Sequence, residues 1–472
     1  MLRGLIFLLM VAGLRGSAKG LVEMRIQLLC DHKWRDLPNL CAIKLALERL
    51  GHNVLMSATK GAQAHTIAFK PDVVVFNHLH SEAYRTFSRI LKENGRVVVV
   101  LPTEGAMRPE YESIGAGEFS DYSHVDLFLA WNGTAADNVR RRWGGSGIEV
   151  QGIGCSRFDF HHPRFHEAVP TREAFCEKWG LDPSRPVVTW ATAYGYAHLN
   201  GNAPPGRIAQ FEREAAEVGI KKCLRRIGID LTDLPAIFSE GREVAAEAFF
   251  ETAKALPDIQ FVVKPHPIED LSYYRRRIAG VGLQNVRFCP QDYIWSILRA
   301  ADVHLHRQCT TAVEAWMWGK PTIEMGMDKH PALTWPEREA GSDIAEDAKS
   351  LIELVQYRLT TPVDSKLHAY RSNYIHTWFG LADGRRCEAA AHAIHQYSLD
   401  RQVTSSRRPI RGLGVSNGDA VKAVLRRWFN RTASEPLIGR SRSETIGAED
   451  KLIRRQDIID YERMLSMKVL DG

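Results

Sequence analysis

Two short segments carry residue types at spacings suited to phosphate and leaving-group chemistry. The first is Phe261-Val-Val-Lys-Pro-His-Pro267, an apolar run leading straight into a rigid turn. Ligands of open α/β sheets bind beyond the carboxyl ends of strands, and a proline on each side of His266 restricts its backbone and aims its ring. Lys264 and His266 can there hold a phosphate, or stabilise or protonate a leaving group. Taken alone, the same residues also fit a plain surface turn. The second segment reads as a strand, Asp302-Val-His-Leu-His306, a tight connection, Arg307-Gln308-Cys309, and a helix opening with Thr310-Thr-Ala-Val-Glu-Ala315 before Gly319-Lys-Pro321. Thr310 is expected as the N-cap, with Glu314 one turn in. The unpaired N–H groups and partial positive charge of a helix start make Thr310 and Thr311 a phosphate site, and Glu314 can accept hydrogen bonds from a ribose. An ordinary capping box is the competing reading.

Other positions carry weaker chemistry. Glu104 stands just past the apolar run ending at Leu101. Arg157 and Asp159 lie near a domain junction, as interdomain contacts or as an internal ion pair. Thr192, Tyr194 and Asn200 belong to a Gly/Pro/Asn-rich stretch directly after a strand, where donor contacts are expected. His78 and His80 stand at i, i+2 without further ligands, so no metal is expected. Asn132-Gly-Thr and Asn430-Arg-Thr match the glycosylation pattern, a frequent chance match. There is no Walker loop and no dinucleotide fingerprint after the first strand.

The elements that must position these residues follow an α/β alternation. Strands are predicted at 25–30, 53–57, 72–76, 96–101, 126–131 and 148–153, with helices at 38–50, 81–93 and 133–143. Leu40, Ile43, Leu47 and Leu50 form one apolar stripe, and Gly51 stops that helix. After the Pro/His-rich stretch 161–170 the alternation restarts, with strands at 187–192, 259–264, 285–289, 302–306 and 321–325. Helices fit 207–225, 241–256, 292–300 and 310–318. The expected architecture is α/β and GT-B-like: two Rossmann-type domains, at 24–165 and 171–400, facing a central cleft.

Together these segments resemble the bacterial surface-carbohydrate biosynthesis family, which pairs a strand ending in (Arg/Lys)-Pro-His-Pro with a later Cys-Thr-Thr-Ala-Val-Glu-Ala…Gly-Lys-Pro. Related signatures occur in capsule Kdo transferases, bacterial sialyl- and polysialyltransferases, and polyol-phosphate transferases. Leu101-Pro-Thr-Glu-Gly105 is similar to their acidic-acidic-Gly motif, with Thr103 at the first acidic position. Gly152-Ile-Gly-Cys-Ser-Arg-Phe-Asp159 is similar to their Gly-Asn-Pro-Arg-Phe-Asp turn, with Cys155-Ser156 replacing Asn-Pro. The resemblance implies a glycosyltransferase of surface or capsular polysaccharide synthesis using a nucleotide-activated donor, most naturally cytidine-linked. It also implies that the first domain takes the acceptor and the second the nucleotide donor. The acceptor would be a glycan or lipid-linked precursor, Glu104 the base on its hydroxyl and His266 the group at the departing phosphate, with no cofactor. The alternatives are a UDP-sugar 2-epimerase-like isomerase and a non-catalytic binding protein on a transferase fold.

Charge confines what the rest can do. The 472 residues carry a formal +6, and residues 401–472 hold 15 Lys/Arg against 9 Asp/Glu, so the body is balanced and the tail is basic. No nucleic-acid partner is expected of such a body. The eight cysteines are scattered, as reduced thiols in a cytoplasmic protein are. Residues 1–23 read as a dispensable or misassigned start rather than an export signal. In the tail, disorder is expected over most of 402–417 and 431–448. Between Asp419 and Asn430, residues Val421, Val424, Leu425, Trp428 and Phe429 share one helical face beside Lys422, Arg426 and Arg427. That pattern fits peripheral contact with the inner membrane, or packing on the body or a second subunit.

Overall fold

The computed structural model describes residues 23–105, 121–201, 205–217, 220–226, 228–403, 408–430, 432 and 451–468. Two parallel six-stranded sheets organise them. The first runs β2-β1-β3-β4-β5-β6 and the second β12-β11-β10-β7-β8-β9. In the first, β1 is Arg25–Cys30, β2 Asn53–Ala58, β3 Val73–Phe76, β4 Val97–Val100, β5 Leu127–Ala130 and β6 Glu149–Gly152. In the second, β7 is Val187–Ala191, β8 Gln260–Lys264, β9 Val286–Phe288, β10 Val303–His306, β11 Thr322–Met325 and β12 Asp343–Ala345. Every residue of Val73–Phe76 and all but the first residue of Val97–Val100 are buried, because helices cover both faces, as parallel sheets require.

Strand order reverses direction between β1 and β3 in one sheet, and between β7 and β10 in the other. At such switch points the loops leave to opposite faces and open a crevice at the strands' carboxyl ends. This two-domain architecture is the expected one, and eleven of the twelve strands lie where the apolar runs predict them. β12, three residues long, has no such run.

Helix positions differ more. The helix predicted from residue 38 begins at Lys33 and contains Pro38. Its extra turn survives the missing proline N–H because the Asp36 carboxylate accepts from His32 N–H at 3.1 Å and from Arg35 Nε at 2.7 Å. The helix expected over 207–225 is two, Pro205–Glu217 and Ile220–Arg226. Helices Ala62–Phe69, Leu271–Val281, Ala348–Thr360 and Ser365–Phe379 were not anticipated.

The domain boundary expected at residue 400 falls earlier. Helix Arg386–Asp400 crosses back to the first domain, where Ala390, Ala391, Ile394 and Tyr397 share a core with Leu37, Ile43 and Leu47 of helix Lys33–Arg49. The crossing passes Gly380, at φ 77° and ψ −152°, where a Cβ would stand 2.8 Å from the Trp131 carbonyl oxygen and 2.9 Å from Gly154 Cα. Only glycine enters that backbone region comfortably.

The tail departs from expectation too. Residues 408–413 are ordered along the first sheet: Arg96 donates to Arg408 O at 2.6 Å, Asn94 bonds the Arg411 backbone in both directions, and Ile410 is buried. One apolar anchor and a paired backbone outweigh the polar composition. Residues 1–22, 404–407 and 433–450 lie outside the described residues, and with them most of the second stretch expected to be disordered. All eight cysteines are free thiols. Among the described residues no helix is long and apolar enough to cross a membrane.

Candidate active site between the two sheets

The carboxyl ends of β1, β3 and β4 and those of β8 and β10 supply the residues singled out by chemistry. Glu104 follows β4, and its side chain is 45% exposed. Its loop is pinned from behind. Trp131 Nε1 donates to Pro102 O at 2.9 Å, Asn132 Nδ2 donates to Gly105 O at 3.2 Å, and a Cβ on Gly105 would stand 2.5 Å from the Trp131 ring. Asn132 is buried and caps helix Gly133–Trp143, so it is no glycosylation site. Arg35, on the unanticipated first turn of its helix, lies 3.9 Å from Glu104, 2.7 Å from Asp36 and 3.4 Å from Asp31.

On the other side, the Pro-His-Pro turn after β8 is held rigidly. His266 N–H donates to Thr192 Oγ1 at 3.1 Å, and Thr192 in turn donates to the buried Glu269 carboxylate at 2.7 Å, which also accepts from Tyr194 N–H and the Tyr274 hydroxyl. Burial pushes Glu269 upward from the usual carboxylate range. Thr192 and Tyr194 therefore face the interior, 1% and 0% exposed. This corrects their expected role as donor contacts: they are the foundation of the turn. Asn200 is exposed, next to residues 202–204 outside the described set.

His266 Nδ1 accepts from Ile268 N–H at 3.4 Å, which leaves the ring proton on Nε2. Burial, then the charges of Lys264, His32 and Arg35, hold His266 at about 3. The last two belong to the first domain, so His266 looks across the cleft at the β1 end. A neutral imidazole donates a hydrogen bond to a departing oxyanion, and stabilisation is thus favoured over protonation from an imidazolium. Lys264 is 8% exposed, and its ammonium lies against the carbonyls of Pro265 at 3.4 Å and Pro290 at 3.3 Å. It contributes positive field from within the wall.

The β10 segment is clamped. Arg307, 1% exposed, donates to Glu324, Asp328 and Glu339 at 2.5–3.0 Å, and Gln308 sits at φ 49° with its N–H on Glu324. Helix Thr311–Met317 follows. Thr310 occupies the N-cap position in helical geometry and makes no side-chain capping bond, contrary to expectation. Thr311 Oγ1 instead pairs with His304 Nε2 at 3.0 Å. Glu314 is 8% exposed and accepts from His161 Nε2 at 2.8 Å, while Trp318 Nε1 donates to His161 Nδ1 at 2.8 Å. Nδ1 as acceptor places the imidazole proton on Nε2, so Glu314 is fixed through His161, a residue the sequence offered only as part of a linker.

Arg157 and Asp159 are not an ion pair. Asp159 accepts from Arg386 and Cys387 N–H at 3.0 and 2.7 Å, capping the helix that crosses between domains, and burial raises it to about 6 despite those bonds. Arg157 packs on the Trp131 ring at 5.3 Å, and the charges of Glu104 and Glu314 both act on it. It thus stands between the carboxylates of the two domains, with a buried Nε that has no hydrogen-bond partner. Arg35, Arg157 and His161 are the site residues that sequence reading passed over or undervalued. The arrangement brings a carboxylate, two guanidiniums and a neutral imidazole donor to one cleft. Among the described residues, no three His, Cys, Asp or Glu side chains gather as metal ligands.

No protein-family model matches the sequence, and neither does any curated protein. Among solved structures, the chain is similar to UDP-GlcNAc 2-epimerase from Neisseria meningitidis bound to UDP-GlcNAc, at 12% identity and TM-score 0.48, covering 80% of this chain and 100% of that one. It is similar to UDP-GlcNAc 2-epimerase from Methanocaldococcus jannaschii, at 14% identity and TM-score 0.44, covering 79% and 100%. It is also similar to the wall teichoic acid polymerase TagF soaked with CDPG, at 11% identity and TM-score 0.49, covering 85% and 97%. Likeness at this level carries no chemistry, which rests on this chain's own residues.

Proposed function

We propose that the protein is a nucleotide-dependent glycosyl- or polyol-phosphate transferase of surface-carbohydrate synthesis. Its donor is cytidine-linked, on the resemblance of its Lys-Pro-His-Pro and Cys-Thr-Thr-Ala-Val-Glu-Ala segments, and its acceptor a glycan or lipid-linked hydroxyl. The observation that supports this reading is Arg35 of the first domain, 3.9 Å from Glu104 and close enough for its charge to act on His266 of the second, with Arg157 under the charges of Glu104 and Glu314. Glu104 takes the proton from the acceptor hydroxyl, whose oxygen attacks the donor carbon or phosphorus. The bond to the nucleotide oxygen breaks, and the charge left there is met by the His266 Nε2–H, by Arg157 and by Thr310 and Thr311. Glu314 remains the ribose acceptor, positioned by His161. Lys264 adds field from behind.

The tail helix Asn417–Trp428 fits docking on an anionic membrane. The helix rests on the first domain through buried Ala420 and Ala423 and through Arg427, which donates to Met56 O at 3.1 Å, while Val421, Val424, Leu425, Trp428 and Phe429 are 42–65% exposed and do not pack on the body.

Titration calorimetry with cytidine and uridine nucleotides tests the donor. CMP or CDP binding that is lost in Arg157→Ala is expected. Conversion of UDP-N-acetylglucosamine to its 2-epimer without an acceptor would replace this reading by an isomerase.

A further inference from the structure

The switch point of the first sheet holds a cavity of about 200 Å³, lined by Asp31, Arg35, Asn77, His78, His80 and Glu104, among others. It lies where the chain leaves β1 and β3 in opposite directions, which is where an open α/β sheet accepts a ligand. Asn77, the residue after β3, is 4% exposed, and neither its amide nitrogen nor its amide oxygen has a hydrogen-bond partner. A buried amide left unmatched on both atoms is costly, so its neighbours on the cavity side matter.

We infer that this cavity binds an uncharged, hydroxyl-bearing sugar ring or short polyol, with Asn77 gripping adjacent hydroxyls. The inference rests on the transferase reading and names the terminal unit of its acceptor. The lining supports each part. Asn77 offers a donor and an acceptor side by side, the pattern that two neighbouring hydroxyls match. His78 and His80 stack at 4.9 Å, and burial keeps both neutral, at about 4 and about 3. His78 Nδ1 accepts from His80 N–H at 3.4 Å, which leaves its Nε2–H as a donor, while the His80 ring carries one donor and one acceptor.

Charge favours a neutral ligand over an anion. The charged groups lining the cavity are Asp31, Glu104 and Arg35, and the Arg35 guanidinium is shared among Asp31, Asp36 and Glu104. Asp31 also pairs with Lys451 at 3.3 Å, so among the described residues a phosphate or carboxylate would meet two carboxylates and only cations already paired with them. The volume is below the ~300–1,000 Å³ of pockets that enclose drug-sized ligands, which suits one ring. Glu104 on the wall places the proposed base beside the hydroxyl it would deprotonate.

Saturation-transfer NMR on the full chain, with glycerol, methyl glucoside, methyl galactoside and methyl N-acetylglucosaminide as neutral probes and N-acetylneuraminic acid and inorganic phosphate as anionic ones, tests this. At least one neutral probe is expected to bind, with affinity falling tenfold or more in both Asn77→Ala and His80→Gln while CDP affinity, measured in parallel, stays within twofold. Preference for an anionic probe, no neutral probe bound, or neutral binding unchanged in a folded Asn77→Ala would overturn it. CDP binding without saccharide binding removes this inference and leaves the donor reading. Saccharide binding that depends on Asn77 with no nucleotide bound removes the donor reading instead.

Discussion

At the scale of single residues, protonation states decide what the cleft can do. His266 is neutral well below physiological pH because burial and the nearby cations disfavour a second proton, so it acts as a fixed donor. Removing one such donor costs about 10²–10³ in kcat. His266→Ala is expected to lose that much while remaining folded, and the ratio of wild-type to variant rates should stay constant from pH 5 to 8. A ratio that collapses across that range would mean that His266 titrates in catalysis. Glu104→Gln is expected to lower turnover by about 10²–10⁴ with CDP affinity, read by calorimetry, unchanged. Equal losses of turnover and donor affinity would give Glu104 a binding role instead. Glu104 was legible from its place after an apolar strand. Arg35 was not, because proline at 38 reads as a helix start, whereas the Asp36 carboxylate contacts and the Asp36 N–H bond to His32 O carry the helix five residues further back.

At the scale of elements, the loop after β4 and the tail helix each make a prediction. Gly105 lies flat on Trp131, so Gly105→Ala must displace either the ring or Glu104. Overpacking of this kind costs about 1–3 kcal/mol, and thermal unfolding should show it alongside reduced turnover. Normal activity in Gly105→Ala would show that the loop has slack. For the tail helix, Trp428→Glu with Phe429→Glu should abolish co-sedimentation with vesicles containing phosphatidylserine and leave soluble turnover intact. Each basic residue near an anionic surface adds about 1 kcal/mol, so wild-type binding should weaken with salt. Equal sedimentation of wild type and variant would remove the membrane role. The apolar face of this helix could be read directly as i, i+3, i+4, i+7, i+8. Its outward direction depends on the alanines that seat it.

At the scale of the whole molecule, the second domain's last helix completes the first domain's core. A chain ending at residue 385 is therefore expected to expose that core and aggregate, whereas a chain beginning at Met24 should keep full activity. Size-exclusion chromatography separates these outcomes. Acid stability should follow the β10 cluster. Burial opposes ionisation of Glu324, but His306 and Arg307 outweigh it and hold the carboxyl at about 2, against 4.5 unperturbed. Its contribution is complete above about pH 4.5 and is lost as pH falls through 2. In urea titrations, Glu324→Gln should begin less stable and lose less across that window. A parallel decline in both proteins would assign acid sensitivity elsewhere.

Local pattern alone established the two α/β halves, because runs such as Val73–Phe76 and Val97–Val100 are apolar on both faces and can only lie inside covered parallel sheets. It also located Glu104, His266 and Glu314, whose positions follow from where strands end and helices begin. Tertiary structure decided everything that depends on residues far apart in the chain. Thr192 and Tyr194 turn inward because Glu269, some 75 residues on, draws them there. Asp159 caps a helix 227 residues away, and His161 orients Glu314 across 153. Asn77 faces a cavity only because β1 and β3 send their loops apart. Periodicity records which side of an element is buried, whereas the partner that buries it is set by how the elements pack.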